Sequence, residues 1–348
     1  MPSRLCCRGR TIPVSEDDRQ AIATRYRRFA EAEAHGISAR YEELANGIAN
    51  SEAMLAFLSS LPNERQQPNL FLAAVRHVAG IAQDIIQFEQ FVANNQDDIR
   101  QIMLSRTTQT NEPARCAVLL PALAPFQQPL ALLEVGASAG LCLYPDYYCY
   151  DYGRQIVPAT NKTATEPPVF CCKTNAEAPL PNATPEICWR TGLDLNPLDV
   201  SSKEQMDWLE TLVWPEQQER AERLQSAIAV VRHTPPKLYV GKLLDDLSSI
   251  AATAPADAQL VIFHTAVLSY VREPSQRAQF ADLMEDLNAI WLSNEAPSVF
   301  PEQAQRAPPP SQKGSFLMSI NAQPVAWTGP HGQYIHWFGD VPASATRS

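Results

Sequence analysis

Residue 130 divides this chain into two textures, and that break constrains the fold more than any other feature. Before it, residues 15–125 carry apolar side chains at helical spacing, as in Ile22, Tyr26, Phe29 and Ala30. The helical pattern breaks at Gly36, at Pro62 and at Asn111-Glu112-Pro113. Ser15 with Glu16 and Asp17 reads as the first helix cap. From residue 130 onward short apolar runs alternate with helical stretches, the texture of a βαβ sheet. Strands are expected at 130–135, 187–195, 237–240, 259–264 and 289–293, with a closing hairpin near 315–320 and 324–338. Helices are expected at 203–213, 217–232, 243–252 and 274–288. The expected organisation is therefore a flexible N-terminus over 1–14, a helical cap domain over 15–126 and an α/β domain over 127–340. The α/β part contains a tyrosine-rich insert at about 144–186 and a proline-rich stretch, 301–313, expected to be a mobile loop.

Composition narrows the partners. The net charge of −10 opposes phosphate backbones, and Arg25, Arg27 and Arg28 sit beside Glu31 and Glu33 rather than in a basic stripe. Nucleic acid is thus an unexpected partner, and a small-molecule substrate the expected one. No apolar run reaches the roughly 18 residues of a membrane span. MPSRLCCRGRTIP lacks the apolar core of a secretory signal, so a cytoplasmic location is expected. None of the eight cysteines forms a C-x-x-C, and no histidine stands at zinc-ligand spacing, so no metal is expected.

The stretch LLEVGASAGL at 132–141 fits two chemistries. GASAG satisfies G-x-S-x-G, the nucleophile elbow of α/β-hydrolases, with Ser138 as attacker. Asp245 or Asp246 and then His331 would complete the order Ser, acid, His. An elbow usually follows several strands, whereas a long helical stretch precedes this one, and Glu134 has no part in an elbow. EVGASAG also resembles the first motif of class I S-adenosylmethionine (SAM) methyltransferases, with Ser138 in place of the middle glycine. GLDLNP at 192–197 then puts Asp194 at the end of the second strand, where that family grips the ribose. VIFHTAVLSYV at 261–271 puts His264 at the tip of the fourth, facing the methyl group. Gly136 and Gly140 let backbone approach a ligand closely. The helix expected after Gly140 would aim its N–H groups at the cofactor's carboxylate.

The chain further resembles the family catalogued as domain of unknown function 2332. The resemblance rests on TQTNEPARC (108–116), LLEVGASAGL (132–141), YDYG (150–153), WRTGLDLNPLDV (189–200), LVWPEQ (212–217), FHTAVLSYV (263–271) and WLSNEAP (291–297). It implies a class I methyltransferase-like fold and brings no established reaction; joined to the residue patterns above, the expected fold is an α/β, Rossmann-like class I methyltransferase sheet, mostly parallel with a terminal antiparallel hairpin, preceded by an N-terminal helical domain. The methyltransferase resemblance assigns SAM as cofactor, held by Glu134, Gly136, Ser138, Gly140, Asp194 and Asp245. His264 is then the candidate base, with Glu295 facing the same cleft. Gln109, Asn111, Arg115 and Tyr147 are candidate substrate-binding residues. Lys242 stands where the third strand's acid is usual, and this with Ser138 keeps a non-catalytic binding or scaffold protein as the alternative to an enzyme.

Overall fold

The computed structural model describes residues 16–127, 129–162 and 166–340. Ser15, the expected first cap, and the N-terminal segment lie outside them. The described residues separate into two compact units, one from the first 109 residues together with 211–218, and one over 110–210 together with the described residues from 219 onward.

The first unit is helical: α1 (Glu16–Phe29), α2 (Ala39–Asn50), α3 (Glu52–Ser59), α4 (Pro68–Ala79), α5 (Ile85–Asn94) and α6 (Gln96–Ser105). Polar side chains start these helices. The Ser38 hydroxyl accepts the Tyr41 amide at the head of α2, and Asp84 accepts the Gln87 amide at the head of α5. On α1 the residues Ile22, Ala23, Tyr26 and Phe29 are buried, a stripe at helical period. Phe71 links the helices, stacked on Phe57 at 5.4 Å and edge-on to Phe88 at 5.2 Å.

The second unit is a mixed α/β structure with a large, mostly parallel sheet. It opens with α7 (Cys116–Leu123), buried along its whole length, and so α7 belongs here rather than with the helices before it. The strands are β1 (Leu130–Val135), β2 (Cys149–Asp151), β3 (Ile156–Val157), β4 (Val169–Cys171), β5 (Lys173–Thr174), β6 (Ile187–Asp194), β7 (Lys237–Val240), β8 (Gln259–Thr265), β9 (Ile290–Glu295), β10 (Phe316–Ile320), β11 (Gln323–Thr328) and β12 (Tyr334–Trp337). Between them run α8 (Lys203–Thr211), α9 (Gln218–His233), α10 (Leu243–Ala251), α11 (Pro274–Asp286) and α12 (Pro301–Arg306). The main sheet has the order β5-β12-β11-β10-β9-β8-β1-β6-β7. From β7 to β9 every pairing is parallel, and β10, β11 and β12 add antiparallel strands. The chain starts at β1, moves outward through β6 and β7, and returns past β1 to β8. That reversal is the position where open α/β sheets bind ligands, outside the carboxyl ends of the strands.

Two local expectations change. No α-helix follows Gly140: a single 3-10 turn, Leu141–Leu143, runs into Tyr144-Pro145. Proline disfavours the helical conformation at the residue before it, and Tyr144 sits at φ −119°, ψ 41°. The insert itself makes the crossover from β1 to β6. Secondly, 301–313 is not all loop, because α12 occupies its first half. Pro301 pre-sets the first turn, and Arg306 at its end donates to the Ala322 carbonyl at 2.5 Å.

The tyrosines of the insert are core. Tyr148 and Tyr150 are fully buried beside Phe170, and their hydroxyls donate to the Leu141 and Pro145 carbonyls, both at 2.7 Å. Burial pushes both phenols well up. Asp146, also fully buried, receives a two-pronged pair from Arg190 at 2.9 Å and 2.9 Å. The Arg190 guanidinium lies over Tyr144 and over Tyr147, at 4.5 Å and 5.4 Å from the ring centroids. Tyr147, a candidate for substrate contact, is thus part of this packing.

The 329–333 loop docks on the 3-10 turn Pro113–Arg115 through a glycine that tolerates no side chain. Gly332 has φ +77°, and a Cβ there would lie 2.0 Å from the Ala114 carbonyl oxygen. Gly314 shares φ +77° but has nothing within 4 Å of that position. Gly332→Ala is therefore expected to cost about 2–4 kcal/mol, strain plus overpacking, against about 1 kcal/mol for Gly314→Ala. Urea unfolding of the two variants measures the difference, and equal costs would contradict the docking.

Candidate functional site

The glycine turn after β1 is tied to the end of β6. The Gly136 amide donates to the Leu193 carbonyl at 2.7 Å, and the Ser138 amide donates to Asp194 Oδ2 at 2.8 Å. Asp194 Oδ1 accepts the Asn196 amide at 2.8 Å, so each carboxylate oxygen already holds one bond. The Gly140 amide closes the turn on the Ala137 carbonyl at 2.7 Å. Gly136 has a reason to lack a side chain independent of any ligand: at φ +73°, its Cβ would stand 2.4 Å from a Val267 methyl. Ser138 also has a positive φ, +51°, and its buried hydroxyl has no partner.

Asn111 clamps this turn from the other side. Its Oδ1 accepts the Leu141 amide at 3.0 Å, and its Nδ2 donates to the Ala137 carbonyl at 3.3 Å. Its neighbours extend the polar layer. Glu112 Oε1 accepts the Ala114 amide, and Glu112 Oε2 takes Arg220 Nε at 2.5 Å. Arg115, buried, donates from Nε to the Pro330 carbonyl at 2.9 Å and from Nη1 to the Thr265 carbonyl at 3.0 Å. Three polar residues before a buried helix, Asn111, Glu112 and Arg115, thus share one task, that of holding loops together.

Strand register sorts the candidate residues onto two faces. Glu134 lies opposite Gly192 and Phe263, and Thr265 lies opposite Asn294. Glu134, Asp194, Thr265 and Asn294 therefore share one face at the carboxyl edge. His264 lies opposite Ser293, which puts His264, Trp291 and Glu295 on the other face. The candidate base and the candidate cofactor groups are on opposite sides of the sheet.

His264 is fully buried, and both of its ring nitrogens are engaged. Nδ1 lies 2.7 Å from Glu295 Oε1, and Nε2 accepts the Trp291 indole N–H at 2.9 Å. The indole donor assigns the lone pair to Nε2, so Nδ1–H donates to the carboxylate. Glu295 Oε1 also accepts the Val267 and Leu268 amides at 2.9 Å and 3.1 Å, capping the turn after β8. As placed, the pair orders the β8 tip and offers no free nitrogen to a substrate.

Glu134 has the opposite character. It is buried, and its Oε2 has no hydrogen-bond partner. Burial pushes its carboxyl well above the usual range, Cys142 and Asp194 add to the rise, and Arg115 opposes it. Asn294 is a second open group on this face. Its Oδ1 accepts the Thr328 hydroxyl at 2.6 Å, which fixes the amide and leaves Nδ2 buried without a partner.

Three candidates lie elsewhere. Asp245 is exposed in the first turn of α10, with Lys242 Nζ at 3.9 Å, while Asp246 Oδ2 accepts the Lys242 amide. Gln109 belongs to the first unit. Arg220 and Asn294 were not among the sequence candidates. Arg220 looks like one more charge on an exposed helix, and only the tertiary fold brings Glu112 to it. Among the described residues no cluster of metal-ligating side chains occurs, and no helix is long and apolar enough to cross a membrane.

His331 sits half-exposed in the loop docked by Gly332, with Nδ1 3.8 Å from Glu112 Oε2. Burial lowers its imidazole to about 4, with Arg220 and Arg115 adding to the fall and Glu112 opposing it. A folded value below the unfolded value of roughly 6.5 means that the unfolded chain takes up the proton first. The stabilising contribution of the neutral ring is then full above about pH 6.5 and is lost as pH falls towards 4. NMR titration is expected to show the His331 ring still neutral at about pH 5.5. His331→Gln should lose less stability than the native chain across that window, and a midpoint near 6.5 would refute the assignment.

No curated protein and no solved structure matches the chain. A family model described as uncharacterized proteins conserved in bacteria, DUF2332, matches residues 23–337, and on that match the chain belongs to this family.

Proposed function

We propose that the protein is a SAM-dependent methyltransferase acting on a small molecule, with the cofactor across the carboxyl ends of β6, β1 and β8 on the Glu134–Asp194 face. The observation that carries this reading is the bond from the Ser138 amide to Asp194 Oδ2, which joins the acid after β6 to the glycine turn after β1. Each Asp194 oxygen retains acceptor capacity for a sugar hydroxyl beyond the amide it holds. The unpartnered Ser138 hydroxyl and Glu134 Oε2 beside that turn suit the polar tail of the same ligand. The missing helix after Gly140 removes one source of positive potential, and the fixed Arg115 charge near Glu134 substitutes for it. These groups fit SAM, which when bound supplies an electrophilic methyl group. The protein's part is then alignment and exclusion of water. His264 has no role as a base here, because both of its nitrogens are engaged.

A second reading keeps the ligand and drops turnover. It is favoured by the same closure of His264 and by Val267 packed on Gly136. The hydrolase reading draws on the positive φ of Ser138, but its partners are dispersed: Asp246 caps α10 and His331 faces Glu112.

Thermal melts separate the three. SAM or its demethylated product at about 100 times Kd should stabilise the protein by about 2.7 kcal/mol, and Asp194→Ala should abolish the shift. Methyl transfer onto a co-purified small molecule distinguishes the enzyme from the binder. Absence of any shift with either compound removes both readings, and labelling of Ser138 by a fluorophosphonate would restore the hydrolase.

A further inference from the structure

Residues 211–218 (TLVWPEQQ) join α8 to α9 in sequence but belong to the helical unit, where they are held like a bound peptide. The Trp214 ring lies edge-on to Phe29 at 5.7 Å and tilted against Tyr41 at 5.6 Å. Its indole N–H donates to Asn69 Oδ1 at 3.0 Å. The Arg76 guanidinium donates to the Thr211 carbonyl at 3.3 Å and to the Val213 carbonyl. Glu216 accepts the Ser38 hydroxyl at 2.7 Å and the Arg40 amide at 3.1 Å, at the positive end of α2. Arg40, Tyr41, Leu44, Val75 and Arg76 continue as a small cleft beside Pro215.

Each contact reads the segment itself: an aromatic slot with a polar acceptor for the indole, a guanidinium for two backbone carbonyls, and a helix terminus for the acid. Such a set distinguishes a tryptophan followed two residues later by an acid. A plain linker asks for none of it, since loops usually carry small polar residues. An aromatic anchor in a pocket surrounded by polar contacts is the arrangement of peptide-recognition hot spots.

We propose that the helical unit is a peptide-recognition module for a tryptophan–proline–acid turn, closed by the Gln217 amide on the Trp214 carbonyl at 3.0 Å and filled in this structure by the chain's own residues 211–218. Recognition depends on these side chains and not on covalent continuity, so the groove accepts the same eight residues in trans once its own segment is weakened. The inference stands apart from the methyltransferase reading.

The test uses the full chain carrying Trp214→Ala and Glu216→Ala together, and fluorescein-labelled TLVWPEQQ followed by anisotropy. The peptide should bind the double variant at least tenfold tighter than the native chain, whose groove is filled. A peptide with its own tryptophan changed to alanine should bind at least tenfold more weakly than the parent. A variant with native circular dichroism that takes up no peptide, or that binds both peptides equally, overturns the proposal. If the double variant does not fold, TLVWPEQQ in the refolding buffer should restore soluble helical protein, and failure to do so likewise overturns it.

Discussion

A buried guanidinium must place its donors on fixed acceptors, and Arg115 places them on the carbonyls of Thr265 and Pro330, 150 and 215 residues away in sequence. Removing those acceptors would strand a charge in the core, at a cost of several kcal/mol. The tip of β8 and the 329–333 loop are thereby fixed to the 110–115 stretch, and Asn111, four residues earlier, fixes the glycine turn to the same stretch. Three loops at the carboxyl edge of the sheet are thus positioned from this one polar segment. Its sequence reads as a helix start, and its structure makes it the seat of three loops.

Most of the secondary structure was legible because one signal, the spacing of apolar residues, is local. LALLEV, KLYV and QLVIFHT are strands where the pattern puts them, and 218–233 and 274–286 are helices within two residues of expectation. The glycine turn and Asp194 were also legible, because strand–turn and strand–acid motifs are short-range. What could not be read was decided over long distances. The parity that sends His264 to one face and Glu134 to the other depends on strand pairing with β1 and β9. Arg220 gains its meaning only from Glu112, and Trp214 only from Phe29 and Tyr41. The helix after Gly140 was expected from the motif alone, although Pro145 in the same sequence argued against it.

Several buried polar groups of the second unit have no hydrogen-bond partner. Glu134 Oε2, Ser138 Oγ and Asn294 Nδ2 lie at the candidate site, and Thr174 Oγ1, Glu295 Oε2 and Ser319 Oγ lie outside it. On the opposite face, Glu295 gathers His264 and two amides on one oxygen. Each face of the sheet's edge thus holds an open carboxylate oxygen, Glu134 Oε2 on one and Glu295 Oε2 on the other. The difference between the faces lies in His264, whose two ring nitrogens are both engaged.

The crossover made by the insert has a consequence for how the chain assembles. After β1 the polypeptide travels to the far margin of the sheet, where Lys173 and Thr174 pair with Tyr334 and Ile335, before it returns as β6. During synthesis on the ribosome, β5 therefore emerges long before the strand that will receive it. The parallel core can gather early, but its outer border waits for β12 to be translated. Such distant pairing makes acquisition of the finished sheet slow and leaves a strand edge open to other nascent chains in the interval.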